Sequence, residues 1–424
     1  MAKFKVTTGI GIKNKHEFIL RKADGTVERA YAYNMVLDVG LERLTRNAQT
    51  GGGLTVSANR RLFLAMYNST FNDYRFGSMI CLGTGSGIVS PERTALFSPL
   101  SYKEGESFNR GYDLENDTAF HTFMAEWDQE VIQNTVISEV GLSGQHNGSI
   151  ISTHALLEDS EGNPITLEKG ELDILTVYST VYLTLQQPMN GNIKFVHGSG
   201  SVRRNFILDL VYRGGGFYAV SADSGVSFGT SSKSVEKTDS HIISEISYEG
   251  FASNIVGDTT YDRSVDIQNR SFKIFGRVPT TKGNGPIREV GVFFGESHPL
   301  NASSRNFAID GETGIRPVLR AVLPAGNWNG TTINDEQVGE GDGTETVFNT
   351  TWSPIVSGTQ VVKVAGVVQT EGTDYTFDHE TGEITFSTAP GTGDAVTVDY
   401  DILFIPKDEN HVLDYEFVFK WAEG

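Results

Sequence analysis

Cysteine is almost absent from this sequence: Cys81 is the only one among 424 residues. A lone thiol excludes an intrachain disulfide and a zinc site built from several thiolates. It fits assembly in a reducing cytoplasm. Long apolar runs are also missing, since no stretch approaches the roughly 18 consecutive apolar residues of a membrane span, and the start at Met1–Lys5 lacks the apolar run of a signal peptide. We therefore expect no membrane insertion.

Basic residues are scarce. The chain has 34 Lys and Arg against 53 Asp and Glu, which gives a formal charge of −19. Nucleic acids and anionic membranes bind proteins through clustered Lys and Arg, so this balance predicts neither as a partner. The length predicts two or three domains at roughly 100–200 residues each. With 25 Phe and 15 Tyr there is ample apolar material for folded cores.

Helical periodicity is limited to two segments, 36–44 and 202–211, each with apolar residues on one face. Elsewhere β-branched and alternating runs such as Ile174–Leu183 dominate, separated by turn residues about every ten positions. The 47 Gly residues against 12 Pro are typical of short strands joined by turns. The sequence therefore predicts an all-β fold of antiparallel sandwiches with few short helices.

The order of features along the chain repeats. Each predicted helix is followed by a glycine triplet, and later segments match in the same order. Glu139-Val140-Gly141 and Glu289-Val290-Gly291 are the clearest pair; the others are Gly51–Gly53 with Gly214–Gly216, Ser101–Gly105 with Ser247–Gly250, and Phe120–Phe123 with Phe272–Phe275. This succession predicts two related β-sandwich domains.

The second copy is interrupted before its closing strand, whose counterpart lies near Ile405–Phe419. The predicted domains are 1–187, then 188–331 together with 403–424, with a small β-module at 332–402 inserted in the second. In the module, Tyr375, Phe377, Ile384 and Phe386 alternate on two strands around a His379–Gly382 turn and should share a buried face. Residues 331–402 hold thirteen acids and one base, Lys363, so they carry −12 of the total charge.

No motif in the sequence points clearly to catalysis, phosphate binding or metal binding. Gly83–Gly87 lacks the Lys of a phosphate loop and a following helix, and the nine His residues are too scattered for a typical zinc site. Glu139 and Glu289 are the only acids singled out by recurrence, and we interpret them as carboxylates that pin a strand rather than as a catalytic pair. No catalytic, cofactor-binding or metal-binding residue is predicted, no cofactor is implied, and binding residues stay unassigned.

Several motifs resemble structural proteins of tailed bacteriophages. The stretch Tyr33–Leu41 resembles their Asn-Leu-Val…Gly-Leu helix start. Cys81–Gly85 followed by Pro91–Leu96 is similar to their Leu-Gly-Thr-Gly…Asp-Thr-x-Leu element, but Pro91–Thr94 replaces the usual acidic partner of Thr. Ile137–Leu142 fits the same pattern. The insert resembles a second phage virion module through Gly341–Phe348, Val364–Gln369, Gly372–Asp378 and Thr381–Phe386.

This resemblance implies a non-enzymatic virion protein of a tail, tail fibre, baseplate or neck, made in the host cytoplasm. Its expected partners are other virion structural proteins and further copies of itself in a homo-oligomer. Two alternatives stay open. One is a tail-fibre protein that binds a receptor or host-surface glycan through an aromatic-lined groove on loops, and the other is a polysaccharide depolymerase with two carboxylates in a cleft.

Overall fold

A computed structural model describes most of the chain. The described residues are 2–49, 76–186 except 114 and 146, 192–196, 225–236, 239, 262–293 except 282, 319–324, 328 and 330–423. The second predicted helix, both glycine triplets and Ser247–Gly250 lie outside these residues.

The first copy contains one helix, α1 (Asp38–Gln49), and eleven strands among its described residues. The strands are β1 (Ala2–Arg21), β2 (Val27–Val36), β3 (Met79–Gly83), β4 (Pro99–Glu104), β5 (Glu106–Asp113), β6 (Thr118–Trp127), β7 (Thr135–Ile137), β8 (Glu139–Ser143), β9 (Ile151–Leu156), β10 (Leu167–Lys169) and β11 (Ile174–Gln186).

The rest of the described chain is also built of strands. The second copy continues with β12 (Ile193–Phe195), β13 (Gly225–Gly229), β14 (Asp262–Asp266), β15 (Ser271–Val278), β16 (Gly285–Ile287), β17 (Glu289–Phe293) and β18 (Leu319–Val322). The insert contributes β19 (Thr331–Glu340), β20 (Val347–Asn349), β21 (Val361–Val364), β22 (Val367–Val368), β23 (Tyr375–Asp378), β24 (Glu383–Phe386) and β25 (Ala395–Ile402), and the chain closes with β26 (Ile405–Lys407) and β27 (Leu413–Glu423). The predicted all-β fold is confirmed.

Strand β1 organises the largest sheet. Its even-numbered positions face the core and its odd-numbered ones face outward, as the two-residue period of a strand requires. It pairs with β11 and β2 of the first copy along residues 9–21, and with β27 of the second copy, in parallel, along residues 2–12. A single sheet of twelve strands therefore runs through both copies.

The hydrogen-bond register around the two Glu-Val-Gly segments is the same. Glu139 lies opposite Gly83 of β3 and Leu156 of β9, and Glu289 lies opposite Gly229 of β13 and Val322 of β18. The short pair β7–β10 likewise has a counterpart in β16–β26. The same pairing pattern thus occurs twice in the described residues.

The position of the insert follows from this pattern. In the first copy, residues 157–166 connect β9 to β10, whereas in the second copy residues 323–404 connect the matching strands β18 and β26. The insert therefore occupies the place of a short loop. Insertions between strands are tolerated there because loop-closure entropy rises slowly with loop length.

The insert has its own core, separate from that of the large sheet. The strands β19, β25, β21 and β22 form one sheet, and β20, β24 and β23 form the other. The four residues predicted to share a buried face, Tyr375, Phe377, Ile384 and Phe386, are all buried in this core. The turn between their strands contains Gly382 at φ 79°, a conformation that favours glycine.

The first predicted helix is confirmed and begins at Asp38, after Leu37 rather than at Val36. It contacts β9. The numerical domain boundaries stay a prediction, because the continuous pairing of β1 with β27 offers no break in the sheet between the two copies.

Candidate functional site

The first recurrent carboxylate, Glu139, is fully buried. Its oxygens accept hydrogen bonds from the backbone N–H groups of Gly85, Phe97 and Ser98 at 2.8–2.9 Å, and one lies 2.9 Å from Nε2 of His154. Burial by itself would raise the pKa of Glu139, but these hydrogen bonds outweigh it and hold the pKa below its ordinary range. This carboxylate fastens the loop after β3 to β8.

The second recurrent carboxylate, Glu289, is also fully buried, but its partner is the buried Arg320. The guanidinium donates to Glu289 Oε2 from Nε at 3.0 Å and from Nη2 at 2.8 Å, and its Nη1 donates to Asp239 at 2.8 Å. His154 and Arg320 hold the same register position, opposite Gly141 and Gly291 respectively. The two carboxylates therefore play one structural role with different nitrogen-bearing partners.

The other candidates for chemistry have structural surroundings. The N–H of Gly85 in the Gly83–Gly87 loop is used by Glu139. Cys81 is buried, and burial raises the pKa of its thiol to about 12, which disfavours the reactive thiolate. Within the described ranges, no three His, Cys, Asp or Glu side chains are grouped so as to hold a metal. No helix in that part of the chain is long and apolar enough to cross a membrane.

A buried polar network in the first copy was not foreseen from the sequence. His16 and Asn14 occupy core-facing positions of β1, where Asn34 Nδ2 lies 2.8 Å from His16 Nε2 and 2.9 Å from Asn14 Oδ1. Thr153 donates to the same Asn14 oxygen at 2.9 Å. Burial lowers the pKa of His16 to about 3, so its ring is neutral in the folded protein. The only signal in the sequence is that polar residues take the even positions of an otherwise apolar pattern.

The outward side of the same strands carries a flat surface that we name the tyrosine–lysine face: Lys13, Lys15, Tyr31, Tyr33, Phe108, Phe120, Tyr178 and Tyr182. It spans five adjacent strands in the order β2, β1, β11, β6 and β5. Residues directly opposite one another on neighbouring strands point to the same side. The ladders place Lys15 opposite Tyr33, and Lys13 opposite Tyr182, which in turn faces Phe120.

Ring contacts join the members of this face. The ammonium of Lys15 lies 5.3 Å from the ring centroid of Tyr31 and 5.2 Å from that of Tyr33, within the range of cation–π attraction. Phe108 packs edge-on against Tyr178 with centroids 4.9 Å apart. Tyr33 is 62% exposed and Phe108 is 59% exposed, so aromatic area is available at both ends of the face.

The ring of Phe120 requires a glycine on the neighbouring strand. It lies opposite Gly111 of β5, and a Cβ atom at Gly111 would come within 2.7 Å of the Phe120 ring. The ring therefore lies across the glycine, close to the backbone. The ladders also place Glu17 and Glu106 on this side. Glu17 is paired with Arg29 at 2.6 Å, so Lys13 and Lys15 against Glu106 leave a small positive excess, and Lys13 forms no ion pair among the described residues.

The insert has the opposite charge. Its one base, Lys363, bridges Asp335 at 2.8 Å and Asp399 at 2.7 Å. The other eleven carboxylates of 331–402 form no ion pair within the described part of the chain, and none of the thirteen is buried. Several accept hydrogen bonds from backbone N–H groups in turns, as Asp342, Asp378 and Asp394 do. The turns thus keep these charges at the surface.

Arg288 connects the insert to the second copy. Its Nη2 donates to the carbonyl oxygen of Ser353 at 2.7 Å, and its guanidinium lies 4.9 Å from the ring centroid of Phe404. Trp352 packs edge-on against the same ring at 6.1 Å. The register gives Arg288 the position that Ser138 has in the first copy, which carries no insert. An arginine at that position therefore holds the added module against the sheet.

Comparison with known proteins gives little further guidance. No family model matches this sequence, and no solved structure matches it. The chain is similar to the uncharacterized protein MJ0340 of Methanocaldococcus jannaschii, with 42% identity over 69 residues. The matched stretch is 16% of this chain and 30% of that protein, so the chain spans less than a third of the relative's length.

Proposed function

We propose that this protein is a non-enzymatic structural component of a tailed-bacteriophage virion. In this role the duplicated β-sandwiches attach to neighbouring tail, baseplate or neck proteins in a homo-oligomer, and the acidic insert is presented outward. The proposal rests on the resemblance of the motifs to phage virion proteins.

One structural observation supports an attachment role. A self-contained module with an unneutralised surface replaces a short loop at one point of a repeated scaffold, and Arg288 fixes it there. Such an arrangement places a second surface at a defined position without altering the sheet that carries it. This arrangement fits a protein that attaches to a neighbour through the surface of its insert.

The buried carboxylates agree with a non-enzymatic role. A depolymerase needs two carboxylates about 5–9.5 Å apart in an open cleft. Glu139 and Glu289 are both fully buried and each is saturated by internal partners. Nor do the described residues favour the glycan-binding alternative, because the exposed aromatic residues Tyr33, Tyr102 and Phe108 belong to strands rather than to loops.

The decisive experiment is to find the protein in particles. Purified virions from the phage genome that encodes this chain should contain it at a fixed copy number by quantitative mass spectrometry. An antibody against the exposed residues 342–345 of the insert should label intact particles by electron microscopy, whereas one against the buried strand β27 should not. Absence of the protein from washed particles would overturn the proposal.

A further inference from the structure

The tyrosine–lysine face is a sheet face with no covering element in the described structure. Strands β2, β1, β11, β6 and β5 bury their other side in the core, so what remains outward is available to a partner. Tyr33 and Phe108 expose more than half of their surface. Tyrosine and phenylalanine are enriched at protein interfaces because each supplies a large rigid contact area at low entropic cost.

The chemistry of the face selects an acidic partner. Lys13 has no ion pair among the described residues, and the Lys15 ammonium is held over two tyrosine rings rather than by a carboxylate. Both ammonium groups sit on the same outward side of β1, within two residues of each other. A partner surface that combines carboxylates with a small apolar patch would satisfy the lysines and cover the rings.

The insert offers such a surface at residues 365–371, which we name the insert tip. They comprise the turn after β21, the strand β22 and the three residues that follow it. Val367 is 64% exposed and Val368 is 61% exposed, and the exposed Glu371 lies three residues after Val368. Strand β22 lies at the edge of its sheet, so nothing pairs with its outer side among the described residues. Exposed valines at a sheet edge, surrounded by a module of charge −12, match the aromatic and basic character of the face.

We propose that the tyrosine–lysine face of one copy binds the insert tip of a second copy of this chain. Because each chain carries one face and one tip, the contact is heterologous and passes from copy to copy. It closes into a ring if the rotation between neighbours allows, and otherwise extends as a filament. The proposal rests on the homo-oligomeric part of the proposed function and names the surfaces that join the copies.

The test uses the full chain. Light scattering and sedimentation velocity should show self-association that increases with protein concentration. Raising the salt from about 0.15 M to about 1 M should weaken it about tenfold, because the Debye length falls from about 8 Å to about 3 Å. A chain that stays monomeric at low salt over the whole accessible concentration range would overturn the proposal.

Two sets of neutral substitutions locate the contact. The face variant carries Lys13→Gln and Lys15→Gln, and the tip variant carries Val367→Asn, Val368→Asn and Glu371→Gln. Each alone should remain monomeric, and a mixture of the two should form an equimolar heterodimer and stop there, because only one intact face and one intact tip can meet. Association that survives both variants, or a mixture that stays monomeric while the wild type associates, would contradict the assignment.

The matched control carries Lys3→Gln and Lys420→Gln, which remove the same charge from outward positions outside the face and should leave association unchanged. Circular dichroism checks that every variant is folded. If the wild type is monomeric but binds a glycan array through Tyr33, the face is a sugar site and the proposal is wrong. Its failure would bear on the homo-oligomer alone and leave the virion role, which depends on finding the protein in particles.

Discussion

Glu139 and Glu289 occupy one register position in two copies, yet one is paired with a histidine and the other with an arginine. The difference matters because an arginine stays charged at any accessible pH, whereas an imidazole also has a neutral form. A buried guanidinium that loses Glu289 therefore stays charged, with only Asp239 left as a carboxylate partner. The two sites should respond differently to the same change.

We expect Glu289→Gln to lower the free energy of unfolding by about 3–5 kcal/mol, because it breaks a buried ion pair and leaves Arg320 charged. Glu139→Gln should cost less, about 1–3 kcal/mol, because no permanent charge loses its partner there and some hydrogen bonds persist. Urea unfolding at pH 7 measures both values. The exposed substitution Glu171→Gln is the control and should stay within about 0.5 kcal/mol. Equal losses at the two buried sites would contradict the argument.

His16 should make the protein sensitive to mild acid. Its pKa falls from 6.5 in the unfolded chain to about 3 in the folded protein, so below pH 6.5 the unfolded chain binds a proton that the folded protein does not. Stability is then lost as the pH falls from 6.5 towards 3, at about 1.4 kcal/mol per pH unit for this group.

His16→Gln should remove this dependence while keeping a hydrogen-bonding side chain beside Asn34. Urea unfolding at pH 7.5 and pH 5.5 should show the wild type losing about 1.4 kcal/mol more than the variant between the two values. If both proteins lose the same amount, the ring is not neutral and buried as described.

At the scale of elements, the two copies differ at the position of Arg288. The first copy has Ser138 at the matching position, and its hydroxyl donates to the carbonyl oxygen of Gly85 at 2.6 Å. In the second copy the longer side chain reaches Ser353 and Phe404 of the inserted segment instead. One substitution at one position thus accompanies the replacement of a loop by a module.

Arg288→Ser should release the insert without unfolding it. Loss of a hydrogen bond from a charged donor is worth about 2 kcal/mol, which corresponds to roughly thirtyfold faster opening. Hydrogen exchange should therefore speed up in the backbone around Ser353, while the core amides of Val396 and Val398 keep their protection. Ser138→Ala in the first copy is the control and should change neither region. Unchanged exchange near Ser353 would show that other contacts hold the insert.

In one segment of the repeat, matching residue types aligns the two copies incorrectly. The sequence comparison aligned Phe120 with Phe272, but the ladders differ by one residue. Lys169 and Lys407 end equivalent strands, and six residues later Leu175 and Leu413 begin equivalent stretches of β11 and β27.

Counting residues from the equivalent positions Leu175 and Leu413 identifies the first-copy residue that corresponds to Phe272. Phe272 lies opposite Phe419, six residues after Leu413, and the position six residues after Leu175 lies opposite His121. Aligning Phe120 with Phe272 therefore equated an outward side chain with a core-facing one. Only the strand register fixes which face a residue takes.

For the whole molecule, the parallel pairing of β1 with β27 unites the two copies. Strand β27 also pairs with β15, and Phe419 stacks on Phe272 with centroids 4.9 Å apart. The large sheet and its core should therefore unfold as one unit. The insert has a separate core and is joined to the sheet by two chain connections and few side-chain contacts.

We expect two calorimetric transitions in the full chain, one for the insert and one for the sandwiches. Replacing residues 324–404 with residues 158–166 of the first copy should remove the insert transition and leave the other within a few degrees, since the loop joins equivalent strands. The net charge should fall in magnitude at the same time. Cooperative collapse of the shortened protein would show that the insert is an integral part of the fold.

Alternation of apolar residues by itself determined the all-β class, and the reason is local: burial on one side of a strand imposes a period of two whatever the topology. The same local logic predicted a helix at 36–44, which the structure starts at Asp38, and the buried face of Tyr375, Phe377, Ile384 and Phe386. The unequal distribution of charge between the insert and the rest was visible from composition alone.

Tertiary structure alone decided which residues meet. It paired Glu139 with His154 and Glu289 with Arg320, and placed His16 in a buried network. It also gathered Lys13 and Lys15 of β1 with aromatic rings of four neighbouring strands on one face. These groupings depend on strand order and register between segments up to hundreds of residues apart, as in the pairing of Ala2 with Leu413. No local period carries that information, because many strand orders satisfy the same alternation.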